Sequence, residues 1–350
     1  MELKIGVIGF GGMASWHATY ASKLEGVSFV CAYDIDAERM EKAREMGLET
    51  VDSADELLQR EDINLVLVAT PNHVHREYTV SALRAGKHVL VEKPATMSVA
   101  DWDEMAQEAR RCKKILTVHQ NRRWDKDYLT MRKTVEDGLV GDILCIESRV
   151  FGTMGPMFRW RGFKEYGGGM VLDWGVHLFD QLLLMFPGKK VIDVKAEVRS
   201  MMKQEVEDYF KVLLRLEDGK LLQIEAGSYA FRKLPRWYVS GDRGTMTIED
   251  FAMSEGGITV PSGEPVLTSE VLMTSAGPTR MMVPQLPETK KELPLPVVEE
   301  ETLSVYRNLL EVLNGQGELI VKHSEVRRIL RLIELVLESA ETGHSIACSL

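Results

Sequence analysis

The sequence predicts an α/β chain of two domains, a doubly wound parallel sheet followed by an α+β domain with a large, mostly antiparallel open sheet. Three observations predict it. The first ~120 residues alternate short Val/Ile/Leu runs with helical patterns, as a parallel sheet covered on both faces requires. From residue 143 onward strand-like runs follow one another, and "LEDGKL" (216–221) sets a two-residue Asp-Gly turn between two of them, a hairpin signal. Finally, 350 residues are too many for one ordinary core.

The elements follow in order. Strands are read at "KIGVIG" (4–9), "VSFVCAYD" (27–34), "INLVLVAT" (63–70), "KHVLVE" (87–92) and "KILTVH" (114–119), with helices near 13–24, 36–46, 53–60, 73–85 and 98–112. Ser53 and Ser98 are placed as helix N-caps. After a helix near 125–137 come strands at 143–151, 191–200, 208–216, 220–228, 236–240 and 244–249. Residues 254–299 hold seven prolines and little periodicity, and read as a long irregular loop or an oligomer arm. Helices near 301–314 and 324–341 end the chain. The expected domains are 1–122 and 123–350.

Composition removes several function classes. Hydrophobic residues at 45% and charged residues at 27% are average for a soluble protein. A net charge of −10 argues against nucleic acid as a partner. No apolar run reaches the roughly 20 residues of a membrane span, and no secretory signal is read at the amino terminus. Cys31, Cys112, Cys145 and Cys348 show no CxxC or metal spacing and read as reduced thiols of a cytoplasmic protein.

After the first strand, "GVIGFGGMASWH" fits G-x-G-x-x-A through Gly9, Gly11 and Ala14. Gly9 allows a tight turn, Gly11 the close approach of a pyrophosphate, and Ala14 close helix–strand packing. Phe10, Gly12 and Met13 complete the loop, and the helix N-terminus supplies free N–H groups and a positive dipole. A plain structural turn carries the same glycines, so the second strand matters. It ends at Asp34, twenty residues after Ala14, where an acid accepts from the adenosine ribose hydroxyls and repels a 2′-phosphate. NAD is therefore expected, with NADP disfavoured. Asp36 reads as the next N-cap, and His17 as packing within the first helix.

The strand at 63–70 runs into "ATPNHVH" (69–75), whose Ala69 and Thr70 are small enough for close backbone approach and whose Pro71 turns the chain. Asn72 and His75 join the expected cofactor set, against the alternatives of a helix cap and a structural histidine. The next strand ends in "VLVEKPAT" (89–96), bringing Glu92, Lys93 and Pro94 to the crevice. The lysine leaves a buried strand ahead of a proline able to take the cis form. An ammonium there can hydrogen-bond a substrate hydroxyl and favour its alkoxide.

Taken in order, "GFGGMA", "ATPNHVH", "EKP" and "GGGMVLDWGVHLFD" resemble the Gfo/Idh/MocA family, the glucose-fructose oxidoreductase and inositol dehydrogenase group, from residue 3 to about 250. The resemblance implies a Rossmann domain, a second domain with an open antiparallel sheet, and NAD(P)-dependent oxidation or reduction of a sugar, cyclitol or related polyol. It also implies a homodimer or homotetramer through that sheet. The family's catalytic lysine maps onto Lys93, and its paired aspartate and histidine onto Asp173 and His177. Ala14 stands where relatives often have glycine, which keeps the residue small. Residues 254–299 match no motif.

The last motif can also be read by geometry. At about 100° per residue, Asp173, His177 and Asp180 fall within about 60° of one another on a helix. A solvated stripe normally carries Lys and Glu instead. Asp and His at i, i+4 can share a cation, but no HExxH or cysteine pair completes a zinc set, and no metal is expected. Histidine, with an unperturbed pKa of ~6.5, suits removal of a hydroxyl proton. His177 is therefore assigned as general base, Asp173 as its orienting partner or a hydroxyl contact, and Lys93 as stabiliser of alkoxide charge. Asp180 reads as a supporting or structural acid. The triple glycine before the helix is expected to let the chain approach the nicotinamide ring.

Upstream, "MFRWRGFKEYGGG" (157–169) gathers aromatics and hydrogen-bonding groups, as either a sugar site or a charged surface loop would. Trp160 and Arg161 resemble a family pair before the glycine run and join the cofactor set, while Tyr166 joins the substrate set. In "HQNRRWD" (119–125), Arg123 matches a persistent family arginine and is placed with substrate, though a structural ion pair explains it equally well. The expected function is NAD-dependent oxidoreduction of a sugar, glycoside or inositol. The alternatives are a sugar oxidoreductase that holds NAD(H) while cycling between two sugars, and a non-catalytic NAD-binding regulator.

Overall fold

Two sheets organise the chain in the computed structural model, which describes residues 2–152, 157–232, 234–263, 271–280 and 289–350. The first domain runs β1 (Leu3–Ile8), α1 (Gly12–Tyr20), β2 (Val27–Tyr33), α2 (Ala37–Glu45), β3 (Glu49–Thr50), α3 (Ala54–Gln59), β4 (Leu65–Val68), α4 (His75–Arg84), β5 (His88–Val91), α5 (Val99–Cys112) and β6 (Leu116–Val118). Its six strands are all parallel, in the order β3-β2-β1-β4-β5-β6. The winding reverses between β1 and β4, so a crevice opens at the carboxyl ends of those strands. β4 is buried at every position, which is why its sequence is an unbroken apolar run. Ser53, Ser98 and Asp36 cap α3, α5 and α2 by accepting from main-chain N–H groups two or three residues on.

The second domain continues with α6 (Lys126–Glu136), β7 (Ile143–Phe151), α7 (Val176–Met185), β8 (Val191–Arg199), β9 (Tyr209–Leu216), β10 (Leu221–Gly227), β11 (Trp237–Gly241) and β12 (Thr245–Ile248). Then follow β13 (Gly256–Pro261), β14 (Val271–Thr274), β15 (Gly277–Arg280), β16 (Lys290–Leu293), α8 (Ser304–Leu313), α9 (His323–Thr342) and β17 (Ile346–Ala347). Among the described residues nine strands form one sheet, ordered β16-β13-β12-β11-β7-β10-β9-β8-β17, antiparallel except where β7 meets β10. β9 shows how the sheet is covered. Phe210, Val212, Leu214 and Leu216 point to the helices, while Lys211, Leu213 and Arg215 point outward.

Three expectations change. The hairpin between β9 and β10 has a three-residue loop, 217–219, because Leu216 N–H donates to Lys220 O and Gly219 takes φ +89° after the turn. The segment 254–299 is not uniformly irregular: β13 and β16 extend the large sheet and β14–β15 form a hairpin, while 264–270 and 281–288 lie outside the described residues. The boundary placed at 122/123 is crossed by α8, whose Val305, Tyr306 and Leu309 share an apolar cluster with Leu3, Ile5 and Val7 of β1. Among the described residues no helix is long and apolar enough to cross a membrane.

Candidate active site

The glycine loop is shaped from both sides. Gly9 has φ +88°, and a Cβ there would lie 2.8 Å from the Ala69 main chain, so only glycine fits. Above Gly12, by contrast, nothing among the described residues lies within 4 Å of an added Cβ. α1 begins there without a side-chain cap and with no acid in its first turn. An uncapped helix start with open space over it fits a pyrophosphate. Asp34 fixes the loop: its Oδ2 accepts from Phe10 N at 2.7 Å and its Oδ1 from Asp36 N at 2.9 Å. Arg39 Nη1 stands 3.4 Å from the same carboxylate.

From this loop a cleft of about 1190 Å³ runs between the domains. Phe10, Gly11, Gly12, Met13, Ala69, Thr70, Pro71, Asn72, Glu92 and Lys93 line its Rossmann wall. The facing wall includes Trp160, Arg161, Asp173 and Trp174, together with Gly227, Ser228 and Phe251. Gly9, Asp34 and Tyr166 line an adjoining hollow of about 470 Å³. Arg39 and Lys42 also face the cleft. A basic residue one turn past Asp34 is a legible signal that the sequence reading did not use. Ser228 and Phe251 had none, because only the sheet order brings them here.

At the inner end Lys93 Nζ donates to Asp173 Oδ1 at 3.0 Å and to Asp173 O at 2.9 Å, joining the domains. Arg161 Nε donates to the same Oδ1 at 3.2 Å. Burial pushes the Asp173 carboxyl up, but the Lys93 and Arg161 cations outweigh it and hold the group below the usual aspartate range. Asp173 sits in a π-helical turn, Val171–Gly175, that leads into α7. Such turns disturb the regular ladder and recur at functional sites. His177 follows in the first turn of α7, 5% exposed and behind the lining of both cavities, with its Nδ1 buried and without a hydrogen-bond partner among the described residues. Burial first, then the Lys93 and Arg122 cations, push its pKa well below the ordinary imidazole value. His177 is neutral at physiological pH.

Several residues fall elsewhere. His75 lines neither cavity; it is fully buried, its ring nitrogens 2.9 Å from Pro94 O and 2.9 Å from Thr70 O, tying two strand-end loops together. Arg123 does not face the cleft either. It forms a buried fork on Asp180, at 2.6 and 2.8 Å, and reaches Glu325 at 2.8 Å. Asp180 is thereby structural. Tyr166 stands beside His73, ring centres 5.0 Å apart, in the hollow shared with Gly9 and Asp34, away from Lys93. Asn72 lines the cleft but spends its amide on Gly167 O at 2.7 Å. The triple glycine meets the protein itself. Side chains there would collide with Asn72 and Met97, with Arg161 O, and with the Glu207 carboxylate that accepts from Val171 N.

Comparison with known proteins matches residues 3–120 to an oxidoreductase family with an NAD-binding Rossmann fold, and residues 128–247 to the GFO/IDH/MocA C-terminal domain. The chain belongs to the Gfo/Idh/MocA family. Within it, an uncharacterized oxidoreductase of Schizosaccharomyces pombe is 30% identical over 83% of each chain. The scyllo-inositol 2-dehydrogenase (NADP(+)) of Bacillus subtilis is 28% identical over 98% of this chain and 95% of its own. An NAD-binding protein from Listeria innocua superposes with a TM-score of 0.90 at 39% identity, over 99% of this chain and 97% of its own. As a Gfo/Idh/MocA member the protein is an NAD-binding oxidoreductase.

Proposed function

We propose that the protein is an NAD-dependent dehydrogenase acting on a secondary alcohol of a sugar, glycoside or inositol, or on the matching ketone, at a carbon held among Lys93, Asp173 and His177. The Lys93–Asp173 pair carries this reading. It joins the carboxyl end of a Rossmann strand to the second domain inside the cleft that begins at the glycine loop. The inositol dehydrogenase of Bacillus subtilis named above supports the polyol class.

A nicotinamide held in this cleft would supply the hydride acceptor for the alcohol carbon. The residues of the chain manage the proton and the charge. Neutral His177 takes the hydroxyl proton and, in the reverse direction, returns it. The Lys93 ammonium stabilises negative charge growing on that oxygen, and Asp173, itself held by Arg161, keeps the ammonium in place. Gly11, Gly12 and the start of α1 would hold the pyrophosphate, and Asp34 the adenosine ribose, which favours NAD over NADP. Trp160 and Arg161 would close over the cofactor. A cytoplasmic homodimer or homotetramer, assembled through the outer face of the large sheet, completes the proposal.

NADH formation, followed by absorbance, across inositols, aldoses and glycosides with NAD and with NADP tests this reading. A panel repeated with a keto-sugar acceptor detects an enzyme that retains its nucleotide. Nucleotide binding without turnover in either panel, with Lys93→Ala indistinguishable from wild type, would identify a non-catalytic NAD-binding protein instead.

A further inference from the structure

Behind Lys93 lies a buried polar cluster that the proton and charge roles above leave unused. Glu92 follows β5, and its Oε1 stands 2.8 Å from His17 Nε2 and 2.8 Å from His119 Nδ1. Its Oε2 accepts from the Lys93 main-chain N–H at 3.2 Å. His17 comes from α1, His119 from the residue after β6, and Tyr306 from α8, its hydroxyl 2.6 Å from His17 Nδ1. None of the four is more than 6% exposed.

The proton positions follow from this geometry. Burial pushes His17 down to about 4, so its ring is neutral at physiological pH. A neutral His17 that donates from Nε2 to Glu92 must accept at Nδ1 from the Tyr306 hydroxyl. Burial pushes the Glu92 carboxyl up, but the two imidazoles outweigh it and hold the group well below the ordinary range. Glu92 is a fixed anion. The donor atoms of His17, Glu92 and His119 lie within 4.8 Å of one another, as a metal set would. Their 2.8 Å separations are nevertheless those of N–H···O bonds, so the cluster is a hydrogen-bonded carboxylate.

Charge indicates what such an anion does. Glu92 aside, the described residues at the inner end of the cleft set the Lys93 and Arg161 cations against the Asp173 carboxylate, and the neutral His177 behind them adds no charge. That surplus of positive charge opposes a cationic ring. Glu92 lines the same cleft, on the half of the sheet (β4 to β6) that receives the nicotinamide in a doubly wound fold. We propose that Glu92, clamped by His17 and His119, is a built-in counter-charge that favours the oxidised, cationic nicotinamide over the reduced, neutral one. His17, His119 and Tyr306 are positioning residues. The inference rests on the cofactor reading above.

The test compares dissociation constants for NAD+ and NADH, measured by calorimetry on the full chain. Glu92→Gln is expected to weaken NAD+ relative to NADH by roughly tenfold, because one nearby charge is lost. His119→Phe removes one clamp and is expected to move the ratio the same way by about threefold, while His119→Asn, which keeps a donor, restores it. An unchanged ratio in Glu92→Gln overturns the proposal. If that variant does not fold, an unchanged ratio in His119→Phe does so. Failure of the wild type to bind either nucleotide sinks the cofactor reading and this inference together, whereas binding with an insensitive ratio sinks the inference alone.

Discussion

Lys93 and Asp173 meet across the domain boundary, the ammonium donating to both the carboxylate and the main-chain oxygen of the aspartate at 3.0 and 2.9 Å. The side chains keep 14% and 22% of their exposure, so the pair is sheltered but reachable from the cleft. A cation held in this way is positioned before a substrate oxygen arrives, and no reorganisation is needed when charge develops there.

Replacing Lys93 with Met keeps the length of the side chain and removes the charge. The expected result is a loss of about 10²- to 10⁴-fold in kcat, the range for a positioned acid–base or electrostatic group. NAD+ affinity should rise by at most roughly tenfold, since one cation opposing the nicotinamide is lost while the glycine loop and α1 stand apart from Lys93. Steady-state kinetics and calorimetry separate the two quantities. Turnover within threefold of wild type would remove Lys93 from the chemistry.

As the proposed base, His177 is expected to set the acid side of the pH profile. Its pKa lies well below the ordinary value, so the neutral base persists as pH falls through ~6.5. The acid limb of kcat/KM for alcohol oxidation is expected to have its midpoint below ~6.5, and His177→Asn to cost about 10²-fold in kcat and abolish that limb. A midpoint at or above 6.5 that vanishes in the variant would contradict the burial argument, though not the assignment as base.

The same depression has a cost in folding. Unfolded histidines bind protons near pH ~6.5, whereas His17 in the folded protein, at about 4, and the more strongly lowered His177 do not. The unfolded state therefore binds more protons between those values. Stability is complete above about pH 7 and falls as pH drops toward 4, the sign expected for bases with lowered pKa. Urea unfolding at pH 7, 6 and 5 measures it. Equal stability at all three values would mean that these histidines are not buried neutral.

Much of the fold was legible because local chemistry repeats: β4 is an unbroken apolar run, and Ser53 and Ser98 cap the helices at which they stand. The face of α7 was not. The spacing of Asp173, His177 and Asp180 suits one stripe of a regular helix, but the wider turn at Val171–Gly175 changes the phase. Asp173 faces Lys93 and Asp180 faces Arg123, so one apparent stripe serves two places. The glycine run signalled close approach correctly, yet the approaching bodies are Asn72, Met97, Arg161 and Glu207, partners up to 95 residues distant that no local pattern reveals. His119 and Tyr306 join Glu92 only because β6 lies beside β5 and α8 returns to the first domain.

In the proposed site, cofactor choice is expected to turn on Asp34 and Arg39. The Asp34 carboxylate repels a 2′-phosphate, while Arg39, 3.4 Å away and facing the cleft, partly neutralises it. NAD is expected to be preferred, by a modest margin. Arg39→Ala should then widen the NAD/NADP ratio of kcat/KM by roughly tenfold, by leaving the carboxylate uncompensated. An Arg39→Ala variant whose ratio is unchanged or narrower would show that the guanidinium does not act at the ribose.

Arg123 and Asp180 provide the contrast of a buried charge pair outside the cleft. The guanidinium forks onto both carboxylate oxygens at 2.6 and 2.8 Å, also reaches Glu325 at 2.8 Å and Ile320 O at 3.0 Å, and both residues are at most 6% exposed. Removing one partner leaves a buried charge short of its counter-ion, which costs about 3–5 kcal/mol in such settings. Glu325 stays in contact with Arg123, so Asp180→Ala should fall near the lower end, about 3 kcal/mol. The Arg123→Leu, Asp180→Leu double variant removes both charges, and its loss should be smaller than the sum of the two single losses. Urea unfolding gives the stabilities, and kcat measured on the folded fraction of Asp180→Ala should remain within about threefold of wild type, since neither residue faces the cleft. A fall of a hundredfold in kcat at undiminished stability would return Arg123 and Asp180 to the substrate site, where the sequence first placed the arginine.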